Sequence, residues 1–383
     1  MPPVAQSSGL LPVSSTPPRL VLYAQTHHTP EGNPISLLPL ITQNTGVTHV
    51  ILAALHINQG PGNISLNDDP PDHPKFDTLW AEVGWLLGAG VKVSIMVGGA
   101  AKGSWERLSG SEEEFNAYFE PVIDLIKRHG LSGLDLDIEE EVPLATPMRT
   151  MRRLDSVFGK DFLLTYAPTC TALLPETIKN PLLPVRPYHF DHSTPVPNGK
   201  AACTEPTLKH LSGFSYPELF GSEIGSRISW LNAQLYCGWG DASQPQWYDA
   251  IIAAGWPADK VVLGVVTTSR NGSGSVPLAK LLEVFRTLRS RHRGFGGVMG
   301  WEYFNSGEND PDMAGKNPWD WVKAIGQTIR SVVEIQPVHT PHPWREEDVL
   351  TLVELGFSRA DAIQALSATE NNVELAAGIL FDQ

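Results

Sequence analysis

Gly133-Leu134-Asp135-Leu136-Asp137-Ile138-Glu139 alternates apolar and acidic residues with a period of two. A strand sends successive side chains to opposite faces, so Asp135, Asp137 and Glu139 share one face and Leu134, Leu136 and Ile138 the other. Three carboxylates in a row repel one another when all are ionised. The arrangement is costly unless a proton is shared, and a proton held near neutral pH is what a general acid needs. Two alternatives stand beside this catalytic reading. One is a half-exposed strand with a solvated acidic face. The other is a Mg²⁺ or Mn²⁺ site, since Asp and Glu at this spacing also suit hard cations.

Outward from this stretch, short apolar runs recur. Arg19–Tyr23, Thr48–Leu55 and Lys92–Val97 precede it; Asp161–Ala167, Ser229–Tyr236, Lys260–Thr267 and Gly296–Glu302 follow. With Ser132–Glu139 they make eight predicted strands. Helical spacing lies between them. In Phe115–His129, Phe119, Val122, Ile123 and Ile126 share a face, and Lys127, Arg128 and His129 precede Gly130, a basic last turn and a helix stop. Val276–Arg291 behaves similarly. Strands alternating with helices predict an α/β protein with a parallel sheet. Eight strands close a TIM barrel, which typically takes ~250 residues before insertions. The predicted barrel domain spans 19–333. Its aperiodic, Pro-rich insertion, Leu173–Gly225, is expected to wall a substrate groove, because loops at strand C-terminal ends build the active face of such barrels.

The chain has 383 residues, 42% of them hydrophobic, and a formal net charge of −14. An acidic chain without a basic block excludes nucleic acid as an expected partner. The three cysteines, Cys170, Cys203 and Cys237, form no CxxC and imply no disulfide framework, which fits a reducing compartment. Residues 1–18 are rich in Pro and Ser, lack a basic segment and a long apolar run, and read as a disordered leader rather than a signal peptide. No segment reaches the ~18 apolar residues that span a bilayer, so no membrane association and a cytoplasmic location are expected. The sequons at Asn63 and Asn271 matter only in a secreted chain. His27 and His28 lack a third ligand at metal spacing, and neither a metal nor a cofactor is expected. Composition changes at Glu334–Pro343, where three prolines mark a linker. Residues 344–383 form a second unit with helical patterns at Arg345–Leu355, Arg359–Ala368 and Val373–Phe381. Ser358, three residues before Asp361, is a plausible N-cap.

The acidic stretch resembles the D-x-x-D-x-D-x-E signature of glycoside hydrolase family 18, which includes chitinases and some endo-β-N-acetylglucosaminidases. Asp135, Asp137 and Glu139 match, and Ser132 stands at the first Asp. Gly98-Gly99 resembles the end of the family's S-x-G-G strand. Asn232, Gln234 and Tyr236 resemble N-x-Q-x-Y, and Gly297–Trp301 resembles the strand whose Trp lies beneath the reacting sugar. The resemblance covers roughly Arg19 to Val333. It implies Glu139 as acid, Asp137 orienting the substrate's acetamido N–H, Asp135 supporting Asp137, and Tyr236 bonding the acetamido oxygen. Trp301, Gln234, Tyr23 and Gly98 are the implied substrate-binding residues. The family uses no protein nucleophile, because the substrate's own N-acetyl oxygen attacks. The Ser132 departure is expected to remove a carboxylate that tunes Asp137 and to alter pH dependence.

Residues 346–381 resemble a ubiquitin-associated (UBA) domain. Leu355-Gly356-Phe357 stands where that family carries M-G-F or M-G-Y, and Ala362, Ala365-Leu366, Asn371-Asn372, Glu374, Ala376 and Leu380 fit downstream. Ubiquitin binding is expected to rest on Leu355, Gly356, Phe357 and the helix end near Leu380. The expected substrate is chitin or a chito-oligosaccharide. An N-glycan core or free oligosaccharide is the enzymatic alternative, and a non-catalytic GlcNAc-binding lectin the other. Trp105, Trp239, Trp247, Trp256 and Trp319 lie near predicted loops as candidate sugar platforms.

Overall fold

The computed structural model describes residues 17–176, 207–331, 346–369 and 372–381. It divides into two compact units, Met1–Val332 and Val333–Gln383. The linker 334–343, Cys203, residues 1–16 of the leader and residues 177–206 of the insertion lie outside the described residues.

The first unit runs β1 (Arg19–Ala24), α1 (Pro39–Thr42), β2 (His49–Ile57), β3 (Ile64–Leu66), α2 (Asp77–Gly88), β4 (Lys92–Gly98), α3 (Ser104–Arg107), α4 (Glu112–His129), β5 (Gly133–Asp137) and α5 (Ala145–Phe158). It continues β6 (Leu163–Tyr166), α6 (Tyr216–Gly221), β7 (Trp230–Gln234), α7 (Pro245–Ala253), β8 (Val261–Val266), α8 (Leu278–Arg291), β9 (Gly297–Trp301) and α9 (Pro318–Arg330). Eight strands are parallel neighbours in the order β1-β9-β8-β7-β6-β5-β4-β2, and pairing of β1 with β2 closes them into a TIM-type barrel. Strands covered on both faces read as continuous apolar runs, which is why the sequence exposes them. The exception is β3, an antiparallel extension of β2 too short to carry a period.

Alternation along each strand splits the core in two. On β1, Leu20 and Leu22 face the helix layer, while Val21 and Tyr23 join Ile51, Met96, Val262 and Met299 inside the barrel. At the N-terminal end of the strands, the Arg19 guanidinium lies 4.7 Å over the Trp230 ring, and His49 meets that ring edge-on at 4.7 Å. Burial, and then Arg19 and Lys92, lower the His49 pKa to about 3, so this plug is a neutral imidazole against a cation. In the helix layer, α4 starts in a capping box between Ser111 and Glu114 and stops at Gly130, which is left-handed at φ 60°. It buries Phe115, Phe119, Val122, Ile123, Leu125 and Ile126, each contributing roughly 1.5–3 kcal/mol of transfer free energy.

The acidic strand is shorter than its sequence pattern. β5 ends at Asp137, whose partner Gly98 is the last residue of β4, so Glu139 emerges into the loop beyond the sheet. Gly98 is required at that junction. Its φ is 108°, and an added Cβ would overlap the Asp137 carbonyl oxygen and Trp105 Nε1.

In the second unit, α10 (Glu346–Glu354), α11 (Arg359–Ala368) and α12 (Val373–Phe381) enclose Val349, Leu352, Ala362, Ala365, Leu366 and Ala376. The Ser358 hydroxyl caps α11 by accepting from Asp361 N at 3.1 Å.

Gly98→Ala is expected to destabilise the barrel by at least ~2 kcal/mol, combining backbone strain with overpacking. Gly84→Ala, on the open face of α2 with nothing within 4 Å, should stabilise by about 0.5–1 kcal/mol. Urea unfolding midpoints of the two variants check both signs.

Candidate active site

Asp135, Asp137 and Glu139 meet at the C-terminal mouth of the barrel, and each is set by side chains from other strands. Asp135 is fully buried. It accepts from the Tyr23 hydroxyl of β1 at 2.6 Å, from the Thr165 hydroxyl of β6, and from Asn232 Nδ2 of β7 at 3.2 Å. Asn232 is held in turn by Trp230 Nε1 at 2.9 Å. Burial pushes the Asp135 pKa up to about 6 even though all three donors pull it down.

Gln234, at the end of β7, spans the other two carboxyls. Its Nε2 lies 3.4 Å from Asp137 Oδ1 and 3.3 Å from Glu139 Oε1, and it donates to the Ala167 carbonyl at 2.9 Å. With three acceptors around it, this end of the amide must be the NH₂. The Asp137 pKa is raised well above the usual range by burial, then by Glu139 and by Asp135. Glu139 is half-buried, and burial raises its pKa against the opposing Gln234 hydrogen bond. Two neighbouring carboxyls make each other harder to ionise, which favours a state in which the pair keeps one proton. Among the described residues no group of three or more His, Cys, Asp and Glu is arranged to hold a metal ion.

Tyr236 follows the end of β7, and its hydroxyl is kept protonated by burial, then by Asp137 and Glu139. Trp301 ends β9 half-buried, with its ring 5.2 Å from Tyr23 in an edge arrangement. Gly98 and Gly99 close on the β5 end, where Gly99 N donates to the Asp137 carbonyl at 2.9 Å. The structure thus brings Tyr23, Gly98, Asp135, Asp137, Glu139, Gln234, Tyr236 and Trp301 to one place. Sequence reasoning named neither Thr165 nor a role for Asn232. The signal for Thr165 was a polar residue with inward parity in an apolar run.

Ser132 does not belong to this cluster. It has the opposite strand parity to the acids, and its hydroxyl accepts from Val93 N at 3.4 Å at the start of β5. The expected disturbance of Asp137 is corrected accordingly. The tryptophans also sort themselves. Trp105 and Trp256 are fully buried, with Nε1 donating to the carbonyls of Asp137 and Leu173. Trp247 and Trp319 are half-buried against the helix layer, and Trp239 is half-buried in the loop after β7.

In the second unit, Gly356 turns the chain at φ 99°. Leu355 is 51% exposed, and Phe357 meets Phe381 edge-on at 4.8 Å. Leu380 packs partly on the small core, whereas Leu375, Ile379 and Phe381 are exposed.

Residues 19–172 match the family described as glycosyl hydrolases family 18. A chitinase structure from Aspergillus fumigatus is 43% identical, covering 79% of this chain and 96% of that one, with a TM-score of 0.66. The chain belongs to glycoside hydrolase family 18. A fungal endo-β-N-acetylglucosaminidase of family 18 is 38% identical over 82% of this chain and 98% of its own, with a TM-score of 0.68. Residues 345–380 match the UBA/TS-N domain, so this family-18 glycoside hydrolase carries a UBA domain. A 38-residue stretch is 55% identical to the DNA damage-inducible protein 1 of Cryptococcus neoformans var. neoformans and covers 10% of this chain and 9% of that protein. No helix among the described residues is long and apolar enough to cross a membrane.

A carboxyl whose folded pKa is raised binds more protons in the folded state. Its favourable contribution is present below the unfolded pKa and is lost as pH rises through the folded one. For Asp135 that window runs from 3.8 to about 6. Asp137→Asn removes the most strongly resisting charge. Its Tm should exceed that of the parent at pH 7.5, with the gap closing by pH 4. Equal Tm values across that range would contradict the shared buried proton.

Proposed function

We propose that the barrel hydrolyses the β-1,4 bond following an N-acetylglucosamine unit, with retention and with the substrate's acetamido group as nucleophile. The observation that carries this reading is the Gln234 amide set between Asp137 and Glu139 above a fully hydrogen-bonded Asp135. Such a pair supplies one proton and one charge at neutral pH. Glu139, the more exposed member, gives its proton to the glycosidic oxygen as the C1–O bond breaks. The acetamido oxygen forms the new bond to C1. Asp137, which resists ionisation the more strongly in the free site, leaves the pair's proton to Glu139 once the acetamido N–H donates to it, and balances the positive charge developing there. Tyr236 donates to the acetamido oxygen and aims it. Glu139, now ionised, then takes a proton from the water that opens the cyclic intermediate, so the product keeps the starting configuration. Trp301 offers a flat apolar floor to the sugar ring.

Chito-oligosaccharides are the first substrate class, supported by the likeness to the Aspergillus chitinase. A second reading, cleavage within the GlcNAc–GlcNAc core of an N-glycan, is favoured by one feature. Burial takes Trp105 and Trp256 out of any groove, which shortens the row of platforms that a polymer would need. The UBA domain is proposed to bind ubiquitin through Leu355, Gly356, Phe357 and the α12 end near Leu380. A cytoplasmic setting with ubiquitinated glycoproteins as clients would join the two units.

Products are to be read by mass spectrometry after incubation with chitohexaose and, separately, with a high-mannose glycopeptide. Shorter chito-oligomers support the first class, and a peptide retaining one GlcNAc supports the second. Glu139→Gln should lower the rate at least ~100-fold, the scale of a lost general acid, while leaving oligosaccharide binding intact. Turnover by Glu139→Gln at the parent rate would sink the mechanism. For the UBA domain, adding ubiquitin should shift the amide resonances of Gly356 and Phe357, and Leu355→Ala should weaken that response. Unmoved resonances would rule this surface out.

A further inference from the structure

We propose that Glu140 is a positioning residue for Glu139, holding the acid's backbone in register through the loop between β4 and α3. The inference rests on the reading of Glu139 as the general acid. Beyond Asp137 the chain has left the sheet, so no ladder hydrogen bond orients Glu139. Something else must fix residues 138–142, because a misplacement of about 1 Å at a reacting group costs on the order of 100-fold in rate.

Glu140 turns the opposite way from Glu139 and is 7% exposed. Its two oxygens accept from Gly103 N at 3.0 and 2.9 Å, and Oε1 also accepts from Trp105 N at 2.8 Å. Trp105 is fully buried, and its Nε1 donates at 3.1 Å to the carbonyl of Asp137, the residue two before Glu139. The contacts form a ring. The Glu140 carboxylate fixes the Trp105 backbone, the Trp105 indole fixes the Asp137 carbonyl, and Glu139 is caught between two anchored residues. The opposite side is pinned as well, with the Ser212 hydroxyl donating to the Ile138 carbonyl at 2.7 Å and Val142 N donating to the Ser212 carbonyl at 3.1 Å. A buried carboxylate held by two backbone N–H groups, one of them shared between both its oxygens, and forming no ion pair among the described residues is an unusual expense for a loop. Its position directly after the acid gives that expense a purpose.

The test is steady-state kinetics on chitohexaose and the high-mannose glycopeptide across pH 4–8, with Glu139→Gln in parallel. Glu140→Ala should lower kcat about 10–100-fold, leave KM within about 2-fold, and shift the basic limb of the pH profile, because the spacing of Glu139 from Asp137 sets where the shared proton is lost. Glu140→Gln, which keeps one acceptor for Gly103 and Trp105, should recover most of kcat. A purely structural role would lower Tm while leaving the kcat and pH profile of the folded protein unchanged, and that result overturns the proposal. Should Glu140→Ala not fold, Trp105→Phe keeps the ring's burial and removes the donor to Asp137. Parent-like kcat and pH profile in that variant overturn the proposal equally. An active Glu139→Gln would instead refute the acid assignment. An inactive Glu139→Gln beside a fully active Glu140→Ala refutes only the positioning role.

Discussion

Placing three carboxyls within five residues, Asp135 and Asp137 buried and Glu139 half-buried, is the constraint from which the rest of this site follows. A single buried carboxylate is tolerated only when donors surround it, and three in succession cannot all be ionised. The protein divides the problem. Asp135 lies deepest, and donors from three different strands pull against the rise that burial imposes on its pKa. Asp137 and Glu139 share one amide and resist ionisation together. Only a closed barrel brings donors from β1, β6 and β7 to one point above β5. An open sheet would leave β1 and β7 too far apart for Tyr23 and Asn232 to meet, and they lie 3.3 Å from each other across the barrel.

The same economy governs the loops. A residue leaving a strand end loses its ladder and must be held otherwise. Two of the side chains at the mouth, Glu139 and Trp301, are each followed by a buried glutamate. Glu302 accepts from Gln25 N and Thr26 N at 2.8 Å and from the Thr26 hydroxyl at 2.7 Å, tying the end of β9 to the end of β1. Glu140 does the equivalent for the end of β5. In both cases one side chain serves the mouth while the carboxyl of the next residue accepts from backbone N–H groups of a neighbouring segment.

How far this was legible in the sequence depends on how local each signal is. A strand such as Val261–Val266 announces itself, because a parallel strand covered on both faces is apolar throughout. The capping box and basic last turn of α4 are equally local. Ile64–Leu66 was invisible because three residues carry no period. Within the site, Asp135, Asp137 and Glu139 stood out by alternation, and Gln234, Tyr236 and Trp301 by family resemblance. Glu140 was hidden in the run Glu139-Glu140-Glu141, where one residue serves the mouth and the next the loop behind it. Spacing cannot say which acid in such a run has donors, since Gly103 and Trp105 act through their backbone. For a related reason the sequence does not say which tryptophans line a groove, Trp105 and Trp256 among them. A tryptophan near a loop reads as a platform, yet here each uses its indole N–H to satisfy a buried carbonyl.

The two units carry opposite departures from the ordinary rules of burial. The barrel has a large core and tolerates buried charge, the costliest feature a fold can include. The UBA domain encloses a handful of side chains, Val349, Leu352, Ala362, Ala365, Leu366 and Ala376 among them, and a core of that size cannot offset an unpaired polar group. Its departure is exposed apolar surface: Leu355, Leu375, Ile379 and Phe381, each more than two-fifths exposed. Both are free energy left unrealised in the isolated chain. On the proposed reading, the positive charge that develops on the acetamido group beside Asp137 would relieve the first, and an apolar protein surface laid on the second would relieve the other. Where a chain tolerates what its folding would otherwise remove, the ligand is the missing term. The kind of cost, charge in one unit and apolar area in the other, indicates the kind of ligand.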